Sequence, residues 1–513
     1  AFCHSTVWAR ARFAYDAAPW GESAAKLGAT RETMDAKNLI VFMSDGHDPR
    51  YLGSAGHPLM HTPALDRLAE RGTQFSNAYT ACPICVPARA SFATGRHVHE
   101  TGCWDNAHAY DGDIPGWAQL VQRAGHPIEA IGKMHFRRAE DPLGFDRQHE
   151  PMHIHDGVGM VWGALRDPFP TLDPPFRLIK QVGAGVSNYN LYDRRIANHA
   201  SEWLKARADS GDGPWVLYVG FVAPHPPFLV PREYLDRYPL DNVPLPKAHD
   251  MPAERLHPWV RAQGEFIAQD GFFRDDEERR LAYASYLALL SFTDAQIGFV
   301  LDTLEELGLD AETRILYTSD HGDSPGARAL WGKFNFFEES AKVPMILAGP
   351  GTEQGKVCKT PVSHLDVHPT VLDAMGIADR DEGSDGHSLF EIAAAPEDPE
   401  RIVLEQYHAF ASPTGGFMLR RGRYKYNYYV GHGPELYDLE SDPEEMTDLA
   451  SDPGHASTLA EMEALLRERL DPEAVDAQAK AAQAALIARH GGPEKALGVG
   501  SPGTTPVPGY GQE

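Results

Sequence analysis

The 513-residue chain has 42% hydrophobic and 23% charged residues, an ordinary balance for a globular protein with room for more than one structural unit. Its 73 acidic against 47 basic residues give a net charge of −26, which excludes nucleic acid and anionic membrane as expected partners but leaves room for a small anion at a local cationic cluster. Five cysteines (Cys3, Cys82, Cys85, Cys103, Cys358) are too few and odd in number for a disulfide framework. No run approaches the roughly 18 apolar residues of a membrane span, and Ala1–Arg31 mixes Trp, Arg, Asp and Gly without the apolar block of a signal peptide, so the expected location is cytoplasmic.

Residues 1–36 read as an N-terminal extension, with Met34 a candidate start just ahead of the first strong strand. Asn38–Met43 is a continuous apolar run, the pattern of a strand buried on both faces, and it ends at Ser44-Asp45-Gly46-His47-Asp48. Thr62-Pro63 opens a capped helix closed near Gly72. In Cys82-Pro83-Ile84-Cys85-Val86-Pro87-Ala88-Arg89, Pro87 suits a first helical position and Gly95 a helix end. A helix N-terminus favours a thiolate or a bound oxyanion, and Arg89 adds a cation one turn on.

A strand over Ile128–Ile131 runs into Gly132-Lys133-Met134-His135. Residues 152–190 are irregular and rich in Pro, Gly and aromatics, as expected of a pocket wall, and His153 and His155 are candidates to line it. A helix over Asp193–Ala208 precedes a strand over Trp215–Val222 that ends at Pro224-His225-Pro226-Pro227. The longest helix spans about Asp275–Leu307. A strand over Ile315–Thr318 then ends at Ser319-Asp320-His321-Gly322, and one over Val343–Leu347 and a helix over Asp366–Met375 follow. This alternation predicts an α/β fold with a large, mainly parallel sheet flanked by helices over 37–390. Residues 391–490 read as a smaller α+β unit, and the Gly/Pro-rich stretch 491–513 as an arm or disordered tail.

Asp45, Cys85 with Arg89, Lys133 with His135, His225, Asp320 with His321, and Lys333 each have a dull explanation alone: a turn, a cap, a solvated lysine, a buried histidine. Several of them follow apolar strands, however, and strand C-termini are where α/β sheets place ligands. Cys82-Pro83-Ile84-Cys85 also allows a thiol redox motif or a zinc site. The chain is too long for the thioredoxin-like fold, and no second ligand pair supplies the zinc.

Cys85-Val86-Pro87-Ala88-Arg89 resembles the C-x-P-x-R signature of type I sulfatases, in the alkaline phosphatase superfamily. Asp45, Gly132-Lys133-Met134-His135, Pro224-His225-Pro226-Pro227, Ser319-Asp320-His321-Gly322 and Trp331-Gly332-Lys333 follow in family order. Trp104-Asp105-Asn106 and Asn335–Ala341 are similar to the choline-sulfatase-like branch, and Cys85–Ala90 with Pro224–Phe228 to phosphonate monoester hydrolases. The resemblance implies an alkaline-phosphatase-like fold and a hydrolase of small sulfate esters, with phosphonate monoesters or phosphodiesters as the alternative. A formylglycine made from Cys85 by a maturase would supply the nucleophile.

It also implies one divalent cation, calcium with manganese as the alternative, held by Asp45, Asp320, His321 and residue 85. Arg89, Lys133 and Lys333 would neutralise the transferred group and Asp320 would act as base. His225 would protonate the leaving oxygen, His135 would assist release, and Asn106 would bind a substrate oxygen. A homodimer or homotetramer is expected. Many relatives carry Asp, Gln or Glu after the first metal-binding Asp; here Gly46 stands there, with His47 or Asp48 as candidates to compensate.

Overall fold

The structure, a computed structural model, describes residues 34–208, 210–211, 213–378, 383–501 and 503–509. The extension read over residues 1–33 lies outside the described residues. From Met34 onward the chain forms one unit.

Eight strands make the main sheet: β1 (Asn38–Asp45), β2 (Gly72–Phe75), β3 (Ile128–Lys133), β4 (Arg147–Met152), β5 (Val216–Pro224), β6 (Thr313–Ser319), β7 (Met345–Ala348) and β8 (Lys356–Cys358). Their spatial order is β8-β2-β7-β6-β1-β5-β3-β4. All neighbours pair in parallel except β7, which runs antiparallel to both β6 and β2. The sheet is therefore mixed, with a parallel half centred on β1.

Strand β1 shows why the apolar run had to be buried on both faces. Leu39, Val41 and Met43 point into one cluster with Phe92, Trp117 and Val371. Ile40 and Phe42 point into another with Ile196, Leu204, Ile297 and Val300. Successive strand residues face opposite ways, so an unbroken hydrophobic run needs cover on both sides. That cover comes from α1 (Pro63–Glu70), α3 (Asn188–Ala208) and α4 (Asp276–Glu306) on one face, and α2 (Cys85–Thr94) and α5 (Val367–Ala374) on the other. Helix α4 is long and apolar enough to cross a membrane by composition, but 83% of its apolar window is buried inside the protein. It is a core helix.

A second, antiparallel sheet of β9 (Val403–Tyr407), β10 (Gly416–Arg421), β11 (Tyr424–Tyr429) and β12 (Glu435–Asp438) follows, with α6 (Ala456–Arg469) and α7 (Pro472–Arg489). These strands and helices lie within the stretch read as a smaller α+β unit, residues 391–490.

Of the arm or disordered tail expected from 491, the described residues 491–501 and 503–509 form an arm packed on the core. Ser501 N–H donates to Gly159 O, the Trp162 indole N–H donates to Ser501 O, and Tyr189 Oη donates to Thr505 O. Val507 is buried at 3% exposure. Gly and Pro here set a path over the surface of the core rather than preventing one.

Candidate active site

The four central parallel strands end on the same edge, and each delivers a polar side chain: Asp45 from β1, Lys133 from β3, His225 just past β5, and Asp320 and His321 just past β6. Residue-by-residue pairing of β1 with β6, down to Ser44 beside Ser319, sets Asp45 and Asp320 next to each other. Helix α2 enters this edge with Cys85 as its first residue and Ile84 as its extended cap. The helix thus begins two residues earlier than the Pro87 signal suggested, which puts the sulfur at the helix mouth. Gly95 closes α2 in the left-handed region at φ 66.

Cys85 Sγ lies 3.2 Å from His321 Nε2, 3.4 Å from Lys333 Nζ and 3.8 Å from Asp45 Oδ1. One donor atom each from Asp45, Cys85, Asp320 and His321 lies within 4.8 Å of the other three, and all four residues are buried. Three hard or borderline donors and one sulfur position, closed off from solvent, fit a divalent cation. His321 Nδ1 donates to Gly322 O at 2.8 Å, leaving the Nε2 lone pair toward the centre, and burial holds the ring down to about 4, so it is neutral.

Arg89 does not face the cavity. Its Nε donates to Asp320 Oδ2 at 2.8 Å, and Nη1 to Lys133 O and Tyr218 Oη at 2.9 and 3.1 Å; Nη2 lies 3.5 Å from Asp45 Oδ2. It is a buried brace behind the two carboxylates, where the sequence reading placed it on the transferred group. Its planar fork is used up by these partners. Lys133 Nζ reaches Asp45 Oδ2 at 2.5 Å, and Lys333 Nζ stands 3.6 Å from Asp45 Oδ1. Burial opposes ionisation of Asp45, yet Lys133 and Lys333 hold it well below the usual carboxylate range. Burial also pushes the Cys85 thiol up to about 12, with Asp45 adding to the shift and Lys333 opposing it. A helix start was expected to favour a thiolate; desolvation and two carboxylates outweigh it.

A narrow cavity opens over Cys85, bordered by Lys133, Lys333, His135, His225 and Asn106. His225 Nδ1 donates to Pro226 O at 2.8 Å, and burial with Lys333 keeps the ring well below its ordinary value. Burial with Lys133 does the same to His135, whose Nε2 shares a 2.8 Å hydrogen bond with Thr505 Oγ1. Asn106 Oδ1 accepts from Val86 N–H at 3.2 Å and so caps the cysteine-bearing helix.

The rest of the lining is largely apolar: Ile84, Ile154, Met160, Phe176, Leu178, Phe334 and Phe410, with Ser501, Gly503 and Thr505. His153 and His155, expected there, do not line the cavity; Ile154 between them does. His153 hydrogen-bonds Gln148, and His155 stands near Asp156. The compensation expected from His47 or Asp48 is also absent. His47 Nδ1 and Nε2 engage Tyr317 Oη and Tyr51 O, and Asp48 is paired with Arg50. Cys82 is buried in an apolar cluster beneath the site. Phe410, the closing segment and Arg89's partner Tyr218 carried no sequence signal; only their neighbours in space identify them.

The family model described as "Sulfatase" matches residues 37–377, which carry every one of these strand-end residues. The chain belongs to the sulfatase family. A second model, "N-sulphoglucosamine sulphohydrolase, C-terminal", matches residues 326–471 of this sulfatase. The choline-sulfatase of Rhizobium meliloti is 34% identical over 88% of this chain and 90% of its own. Arylsulfatase K of Bos taurus is 27% identical over 84% and 81%. In fold, the phosphonate monoester hydrolase of Agrobacterium radiobacter superposes with a TM-score of 0.70 at 23% identity, covering 84% of this chain and 95% of that one.

Proposed function

We propose that this sulfatase hydrolyses small sulfate monoesters with a formylglycine made from Cys85 by a maturase, beside one divalent cation, calcium with manganese as the alternative. The carrying observation is Cys85 at the mouth of α2, inside a buried set of Asp45, Asp320 and His321. Its thiol, pushed up to about 12, is a poor nucleophile as it stands, which favours the converted side chain.

When bound, the cation polarises the ester oxygens and favours the anionic form of an attacking hydroxyl, and the aldehyde hydrate provides that hydroxyl plus a second one for release. The chain's own residues do the rest. Lys133 and Lys333 border the cavity and meet negative charge on the transferred group, where low dielectric strengthens their effect. Arg89 holds Asp45 and Asp320 in place from behind. Asp320 takes the proton of the attacking hydroxyl. His225 points Nε2, free of the Pro226 contact, at the leaving oxygen; the negative charge of a bound ester favours uptake of a solvent proton there, which then passes to the leaving oxygen, and His135 takes one during release. Asn106 fixes the α2 terminus and turns its amide nitrogen to a substrate oxygen.

The same two lysines and cation site suit a phosphonate monoester or phosphodiester, and the fold neighbour supports that as the second reading. Peptide mapping of protein made with a maturase should reveal an aldehyde at Cys85; a wholly retained thiol in active enzyme would rule out this mechanism. Paired kcat/KM values for sulfate monoesters, phosphonate monoesters and phosphodiesters then rank the two readings.

A further inference from the structure

Beside the four-donor set lies a buried carboxylate with no part in the scheme above. Asp323 is 2% exposed, and its Oδ1 has no hydrogen-bond partner among the described residues. It precedes the short antiparallel pairing of Ser324-Pro325 with Trp331-Gly332, the hairpin that delivers Lys333. A carboxylate oxygen removed from water is costly unless a donor or cation faces it. An orphaned one therefore marks a place for water or an ion.

Gly46 defines that place. It follows Asp45 at φ +91, a conformation glycine adopts freely. A Cβ added there would stand 3.3 Å from Asp323 Oδ2 and 3.8 Å from His321 Cε1. The missing side chain leaves a gap between the Asp323 carboxylate and the ring of a cation donor. His47 and Asp48 are turned to other partners, so neither fills it.

The charge balance points the same way. Arg89, Lys133 and Lys333 are paired with Asp45 and Asp320, three cations on two carboxylates before a divalent ion arrives, and Asp323 is a further carboxylate whose charge acts on Lys333. Calcium takes six to eight oxygen donors, more than the four-residue set provides.

We propose that Asp323 is the outer carboxylate of the cation centre, holding a water over Gly46 that completes the cation's shell and raises its affinity. This rests on the divalent-cation reading. Asp323 falls outside the 4.8 Å donor set, so it acts through water and not as a direct ligand. The role is one of positioning and charge, comparable to the partners that orient metal ligands elsewhere.

The test is calorimetric titration of chelator-stripped full-length protein, left with Cys85 unconverted, using Ca2+ alone and Mn2+ alone. D323N and D323A should each weaken binding by about 10- to 100-fold, and both should lose most of the metal-induced rise in Tm. Melting of the stripped proteins separates a structural role. If the variants bind as the parent does and only their stripped Tm falls, Asp323 is a packing residue and the proposal is overturned. A parent that binds neither ion overturns the cation reading itself.

Discussion

Two sides of one cavity are made differently. Asp45, Lys133, Asp320 and His321 project from the ends of hydrogen-bonded parallel strands, and Cys85 from the first turn of a buried helix. Met160, Phe176 and Leu178 come from the irregular stretch between β4 and α3, Phe410 from the turn between β9 and β10, and Thr505 from the closing segment. The charged side is fixed in register by the sheet. The apolar side is assembled from segments whose sequence can change without disturbing it. If the charged side does the proposed chemistry and the apolar side receives the leaving group, substitutions on the two sides should have different kinetic signatures.

The largest effect belongs to the nucleophile. Cys85→Ala should lower kcat by at least about 10⁴-fold while leaving the fold intact, because the side chain is small and its loss removes the reacting atom. Measured turnover of 4-nitrophenyl sulfate within tenfold of the parent would place the nucleophile elsewhere. Arg89→Lys comes next. A lysine has no fork to serve Asp320, Lys133 O and Tyr218 Oη together. The expected loss is about 10²–10³-fold in kcat/KM with about 3 kcal/mol of stability, the scale for breaking a buried ion pair. A kcat loss without any change in unfolding midpoint would put Arg89 on the substrate instead of behind the carboxylates.

The wall should respond otherwise. Ending the chain after Gly498 removes Ser501, Gly503 and Thr505 from the cavity. KM should rise about tenfold and discrimination between leaving groups should flatten, with kcat changed by less than about threefold, as expected when binding common to ground and transition states is lost. Rate constants for a series of aryl and alkyl sulfates would measure this. A fall in kcat as deep as that of Arg89→Lys would erase the division between the two sides, and would make the Thr505 contact to His135 part of the chemistry.

The same division explains what the sequence made legible. Leu39–Met43 and Ile315–Thr318 are apolar runs followed by Asp45 and by Asp320-His321, so strand, edge and polar residue are read together from one short stretch. The wall offers no such coupling. Ile154 reaches the cavity and its histidine neighbours do not, a matter of local chain direction that residue type does not encode. Residues 491–509 stayed open between an arm and a disordered tail because Gly and Pro mark irregular backbone, and irregular backbone can still be packed. Helix α7 was missed although Asp471 caps it by accepting from Ala474 N–H; its many alanines leave little amphipathic signal. The absence of a side chain at Gly46 was visible, but its consequence depends on Asp323, a residue 277 positions away that only the folded chain brings alongside.

The smallest effect concerns stability alone and asks whether buried, uncharged histidines are peculiar to the centre. His408 lies behind the wall, packed edge-on against Trp104 and Phe417 and fully buried. Burial, with Arg166 adding to it, holds its ring well below the ordinary value of about 6.5. A depressed histidine stays neutral in the folded chain while the unfolded chain takes up a proton. Its contribution is therefore intact above about pH 6.5 and is lost as the pH falls below that, by up to about 1.4 kcal/mol per pH unit. His408→Phe keeps an aromatic in the same packing and removes the titration. Urea unfolding at pH 7, 6 and 5 should show a variant whose stability declines less steeply than the parent's by about that slope, with kcat/KM at pH 7 unchanged. Equal slopes would mean that His408 is protonated in the fold, and that neutral buried histidines belong to the charged centre rather than to both sides of the cavity.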